Sequence, residues 1–158
     1  MDAIIEQWAA QRPDLQTEPM EIFGRIYRIA ALGGARAEQA YARFGITRGE
    51  FDVLATLRRS GEPYALSPSQ LSSTLMLTTG GMTGRLDKLE RADLVQRVPD
   101  PADRRALRVR LTEHGRQVID EAVAAGLAAQ HDALQGVPEE QRAQLAHLLR
   151  ALLASIDR

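Results

Sequence analysis

The stretch from Leu94 to Thr112 restricts the fold of this chain more than any other. It reads Leu-Val-Gln-Arg-Val-Pro, then Asp-Pro-Ala-Asp-Arg-Arg-Ala, then Leu-Arg-Val-Arg-Leu-Thr. Both flanks alternate apolar and polar residues, as strands buried on one face must, and the centre holds turn formers. The pattern predicts a β-hairpin with a long charged tip. Arg104 and Arg105 lie in that tip, and Arg108 and Arg110 fall on the polar face of the returning strand. Guanidinium groups held away from a protein body can run along a phosphate backbone or enter a minor groove. A hairpin whose charges are only solvated and salt-bridged reads the same way, so the neighbouring segments must decide.

Upstream, Ser67-Pro68 places an N-cap before a proline at the first helical position, which predicts a short helix through Leu71 to Leu75. A second helix is predicted from Thr79 to Ala92. Two helices joined by a tight turn and followed by a hairpin make a winged helix-turn-helix. In the second helix Met82, Leu86 and Leu89 face the core, while Thr79, Gly80, Thr83, Asp87 and Lys88 lie largely on the other side. Gly80, Gly81 and Gly84 each cost about 1 kcal/mol against alanine in a helix. Something must offset that cost. One candidate is close approach of the backbone to base edges and phosphates, with Thr79 and Thr83 as hydroxyl donors; the other is tight packing of helix on helix.

The remaining segments read as helices. Ile4, Ile5 and Trp8 share a face of a short helix that Pro13 stops, and Thr17 is expected to cap a long helix from Glu18 to about Ala42, closed by Gly45. Thr47 and Glu50 have capping-box spacing before a stripe of Phe51, Leu54, Ala55 and Leu57. Thr112 opens another long helix that ends at Gly136, and Pro138 opens the last, where Leu145, Leu148, Leu149, Leu152, Leu153 and Ile156 recur at helical spacing. That final stripe is too wide for a helix resting on a small hairpin domain. The fold class is therefore mainly α with a small β-hairpin wing, a winged helix-turn-helix joined to a helical dimerisation region. The division expected is 1–46 for N-terminal helices serving dimerisation and a ligand site, 47–112 for DNA binding, and 113–158 for C-terminal dimerisation helices.

Charge supports a local nucleic-acid surface. The chain of 158 residues carries a formal net charge of -1, yet residues 85–116 hold nine basic against six acidic side chains. A basic strip on an otherwise acidic body suits groove binding. There is no cysteine, which excludes a disulfide and a thiolate nucleophile. The three histidines, 114, 131 and 147, are scattered, and the chain has no phosphate loop, dinucleotide fingerprint or serine elbow. An enzyme, a metal site and a cofactor are not expected. No apolar run has membrane-spanning length, so a cytoplasmic protein is expected.

The run from Asp100 to Ala106, with Val109-Arg110-Leu111-Thr112 and Gly115-Arg116, resembles the wing signature of MarR-family transcription regulators. The segment from Leu86 to Val95 is similar to the end of that family's recognition helix. The resemblance spans roughly residues 18–157. It implies a homodimer on a palindromic operator of double-stranded DNA, usually as a repressor, with Arg105 in the minor groove, Asp103 holding its guanidinium and Arg104 on a phosphate. With Thr79, Gly80, Thr83, Lys88 and Arg108, these make up the expected DNA surface. Gln7-Trp8 and Arg12-Pro13-Asp14-Leu15 are also similar to the urate-responsive (PecS-like) branch, whose ligand positions match Trp8, Asp52, Arg85 and Arg97. The chain departs from that branch at Gln16, where an aspartate is expected, and at Gly84, where asparagine is frequent. The resemblance implies a small anionic effector such as urate, with phenolic or small carboxylate ligands as the alternative. A dimer that binds only proteins is the rival reading. An Asp52–Arg85 pair would serve either a ligand site or plain structure.

Overall fold

The computed structural model describes residues 1–103 and 105–157, with the side chain of Thr79 outside that description. Its elements follow the sequence closely: α1 Asp2–Gln11, α2 Glu18–Ala42, α3 Arg48–Arg59, β1 Ala65–Leu66, α4 Pro68–Thr74, α5 Thr79–Arg91, β2 Val95–Pro99, β3 Leu107–Leu111, α6 Glu113–Ala133 and α7 Glu139–Ile156. Most helix starts follow from local chemistry. Thr47 accepts the Glu50 N–H while the Glu50 carboxylate accepts the Thr47 N–H, closing a capping box. Ser67 and Gln70 do the same for α4, and Thr112 accepts the Gly115 N–H at 2.8 Å to start α6. Thr17 departs from expectation. It has helical backbone angles, and its side chain caps nothing, because an N-cap must be extended for its oxygen to reach the next turn.

The three strands form one antiparallel sheet in the order β1-β3-β2, with Val95 opposite Leu111 and Pro99 opposite Leu107. The hairpin was legible in the sequence; β1 was not. Ala65 pairs with Arg110 on the other edge of β3, and two residues are too few to show a period. Val109 and Leu111 point into the core while Arg108 and Arg110 take the alternate face. The core gathers Leu54, Leu57, Leu71, Met82, Leu89, Val95, Val109 and Ile119 from α3 through α6. Gly115 is required where α6 begins, since a Cβ there would overlap the Leu94 carbonyl oxygen.

Away from this body the helices are poorly covered. α1 and α7 bury no residue, and α2 buries only Ala37 and Tyr41, near its C-terminal end. Ile22, Tyr27, Ile29 and Leu32 on α2 and Leu145, Leu148, Leu149, Leu153 and Ile156 on α7 are exposed.

Candidate nucleic-acid interface

Thr78 caps α5, its hydroxyl accepting the Gly81 N–H at 3.3 Å. Met82, Leu86 and Leu89 then fix the helix to the core. This leaves Gly80, Gly81, Thr83, Gly84 and Lys88 exposed on the other side. The glycines discriminate between the two explanations of their cost. A Cβ added at Gly80 or Gly84 would meet nothing within 4 Å, so neither residue accommodates a helix of this chain. Packing within the subunit does not account for them.

The wing is held together by its own carboxylates. Asp100 accepts the Ala102 N–H at 2.8 Å and the Arg108 Nε at 2.6 Å, and the Asp100 N–H donates to the Ala106 carbonyl. The Arg108 hydrogen bond, helped by the Ala102 N–H, holds the Asp100 carboxyl below the usual carboxylate range. Arg108, expected at DNA, is thus fastened within the wing. Asp103, expected to hold the Arg105 guanidinium, accepts that residue's backbone N–H at 2.9 Å. An aspartate two residues ahead of an amide closes its own turn more readily than it reaches a long side chain. Arg105 is exposed at the tip, and Arg104 lies outside the described residues.

The wing and α5 are coupled through Arg97. Its Nη2 donates to Asp87 at 2.6 Å, its Nη1 to Glu90, and its backbone N–H to Glu90 at 3.1 Å. The Asp87 hydrogen bond, with the Glu90 charge behind it, raises the Arg97 pKa still further. Arg85 turns toward α3, where its Nη1 donates to the Gly49 carbonyl at 3.3 Å. Gly49 leaves room for this, since a Cβ there would stand 2.7 Å from the guanidinium carbon. Asp52, one turn further along α3, forms no ion pair with Arg85; the Gly49 carbonyl takes that place.

Trp8 is 42% exposed on α1, which is tied to α2 by an Asp2–Arg25 ion pair. Among the described residues no hydrogen bond, ion pair or ring contact joins Trp8 to Asp52, Arg85 or Arg97. A cavity of about 340 Å³ between α2, α3 and α6, lined by Tyr41, Phe51, Arg58 and Leu127 among others, contains none of the four. Tyr41 and Phe51 stack at its wall with centroids 4.0 Å apart. Sequence reasoning missed Asp87, Glu90 and Asp100 as partners of the wing arginines. The Asp-Pro-Ala-Asp pattern was a usable sign for Asp100, because aspartate before such a turn commonly binds the amide two residues on. No group of three or more metal-ligating side chains occurs among the described residues.

A family profile described as the MarR family matches residues 44–106. The HTH-type transcriptional regulator PecS of Dickeya dadantii is 37% identical over 155 residues, covering 98% of this chain and 91% of that protein. The chain belongs to the MarR family. A MarR family protein from Bacillus stearothermophilus superposes with a TM-score of 0.75 at 25% identity, covering 91% of this chain and 99% of the other. A mutant Escherichia coli MarR solved with operator DNA has the same fold, with a TM-score of 0.72 at 23% identity, over 87% of this chain and 96% of that one. The protein is a winged-helix transcriptional regulator of PecS-like type, and its homologues are regulators, not enzymes. No helix among its described residues is long and apolar enough to cross a membrane.

Proposed function

We propose that this MarR-family regulator binds a palindromic operator as a homodimer and represses from it, with α5 in the major groove and Arg105 in the adjoining minor groove. The open face of α5 carries this reading. Gly80 and Gly84 weaken the helix, and a Cβ added at either would meet nothing in the chain, which makes sense where a duplex must approach the backbone. The exposed rows of α2 and α7 support the dimer, since monomeric proteins seldom display apolar stripes of that extent. A two-fold axis would set the two α5 helices about one helical turn, ~34 Å, apart on DNA. Binding is tested by titration of a duplex selected by the protein from a random pool. Log affinity should fall linearly with log salt, and a flat response would refute the reading.

We further propose that a small anionic planar effector, urate as first choice, releases the operator. Support comes from Arg97, whose bonds to Asp87 and Glu90 link β2 to α5, so an anion competing for that guanidinium would loosen the wing from the reading helix. Trp8 on the partly uncovered α1 would stack on the effector. Fluorescence of the single Trp, titrated with urate, hypoxanthine, citrate and salicylate, identifies the ligand class. Trp8→Phe is the clean variant for the release assay, because removing Arg97 also breaks a structural link. Release by urate that survives unchanged in Trp8→Phe would refute the role of Trp8.

A further inference from the structure

α4 ends in a turn that demands a left-handed residue. The Leu77 N–H donates to the Ser72 carbonyl at 3.0 Å and the Met76 N–H to Ser73 at 3.3 Å, the paired bonds of a Schellman motif. Met76 occupies the left-handed position with φ 51. The corresponding turns after α2 and α5 use Gly45 (φ 70) and Asp93 (φ 55). Glycine has no Cβ to collide with the following carbonyl, and aspartate is short and polar enough to tolerate the conformation; methionine has neither property. Nor does its side chain gain burial in return. Met76 is 92% exposed, more than any other large apolar residue described.

The turn's hydrogen bonds hold the backbone, but nothing in the chain uses the methionine side chain, and its place inside the turn of a helix-turn-helix points to a role outside the chain. Thr78 caps α5 two residues later, and the solvent-exposed residues Gly80, Thr83 and Gly84 follow directly. A side chain here stands at the entrance to the groove that α5 would occupy. An unbranched thioether adapts to an irregular apolar surface, and the thymine C5-methyl is the apolar group that a major groove presents.

We propose that Met76 is itself a DNA contact, its thioether packing on an apolar part of the duplex, either a thymine methyl or a deoxyribose edge, beside the groove entered by α5. This rests on the operator-binding reading above. The test compares wild type with Met76→Gly on a duplex selected in vitro by the wild-type protein, and then on the same duplex with each thymine replaced in turn by uracil. Glycine relieves the left-handed strain, so Met76→Gly should unfold at a higher temperature yet bind roughly five- to tenfold more weakly. A side chain with only a structural role would not give that split. If the contact is a thymine methyl, one uracil substitution weakens wild type by a similar factor and leaves Met76→Gly unaffected. If it is the sugar, no uracil substitution matters, but the variant remains weak. Wild-type affinity in Met76→Gly overturns the proposal while operator binding stands. A wild-type protein that selects no duplex overturns the operator reading and this contact with it.

Discussion

Replacing Gly84 by alanine separates stability from recognition. Gly84 lies in the interior of α5, and its Cβ position faces open space. The substitution therefore adds no clash within the subunit and recovers the helix propensity lost to glycine, about 1 kcal/mol. For a chain of this size that raises the unfolding midpoint by roughly 2–4 °C. If α5 enters the groove as proposed, the same methyl would meet bases or backbone with nowhere to go, and forcing extra volume into a close interface costs about 1–3 kcal/mol. Affinity should fall between about fivefold and a hundredfold at fixed salt. Differential scanning fluorimetry reads the first quantity and fluorescence anisotropy on a labelled duplex the second. A variant that is more stable and binds as well as wild type would refute the close-approach argument, leaving the glycines of α5 without a physical reason.

Arg105→Ala should weaken operator binding by about 1–3 kcal/mol and lower the slope of log affinity against log salt, measured by anisotropy across a salt series. Gly115→Ala should destabilise the fold by more than about 2 kcal/mol in urea unfolding, because the new Cβ overlaps a backbone carbonyl held between β2 and α6. The Asp100 carboxyl has a depressed pKa in the folded wing, so its stabilisation is complete above the unfolded aspartate value near ~4 and is lost as pH falls through the lower folded value. Amide exchange at Ala102 should accelerate across that acidic window, and an Asp100→Asn variant should show no such step. Leu148→Glu with Leu149→Glu, both on the exposed row of α7, should convert the proposed dimer to a monomer in sedimentation; an unchanged mass would remove α7 from the interface.

The chain's short-range chemistry was written in its sequence. Thr47 with Glu50, Ser67 before Pro68, and Thr112 each satisfy helix N–H groups a few residues away, so residue type and spacing were enough to place α3, α4 and α6. The wing's alternation and the core stripe of α5 were equally plain, because one buried face imposes its period on the side chains. The wing signature by itself likewise points to the MarR family. Tertiary structure decided what depends on partners distant in sequence or on competition between neighbours. β1 exists only because Tyr64 and Ala65 lie along β3. Arg97 chose Asp87 and Glu90, Arg85 chose a carbonyl over Asp52, and Asp103 chose an amide over a guanidinium. A composition of 158 letters lists donors and acceptors, but only the packed backbone fixes which of them come within 3 Å of each other. The same holds for the left-handed turn at Met76: helix ends are set by hydrogen bonds across six residues, and those bonds overrode the side chain's own preference.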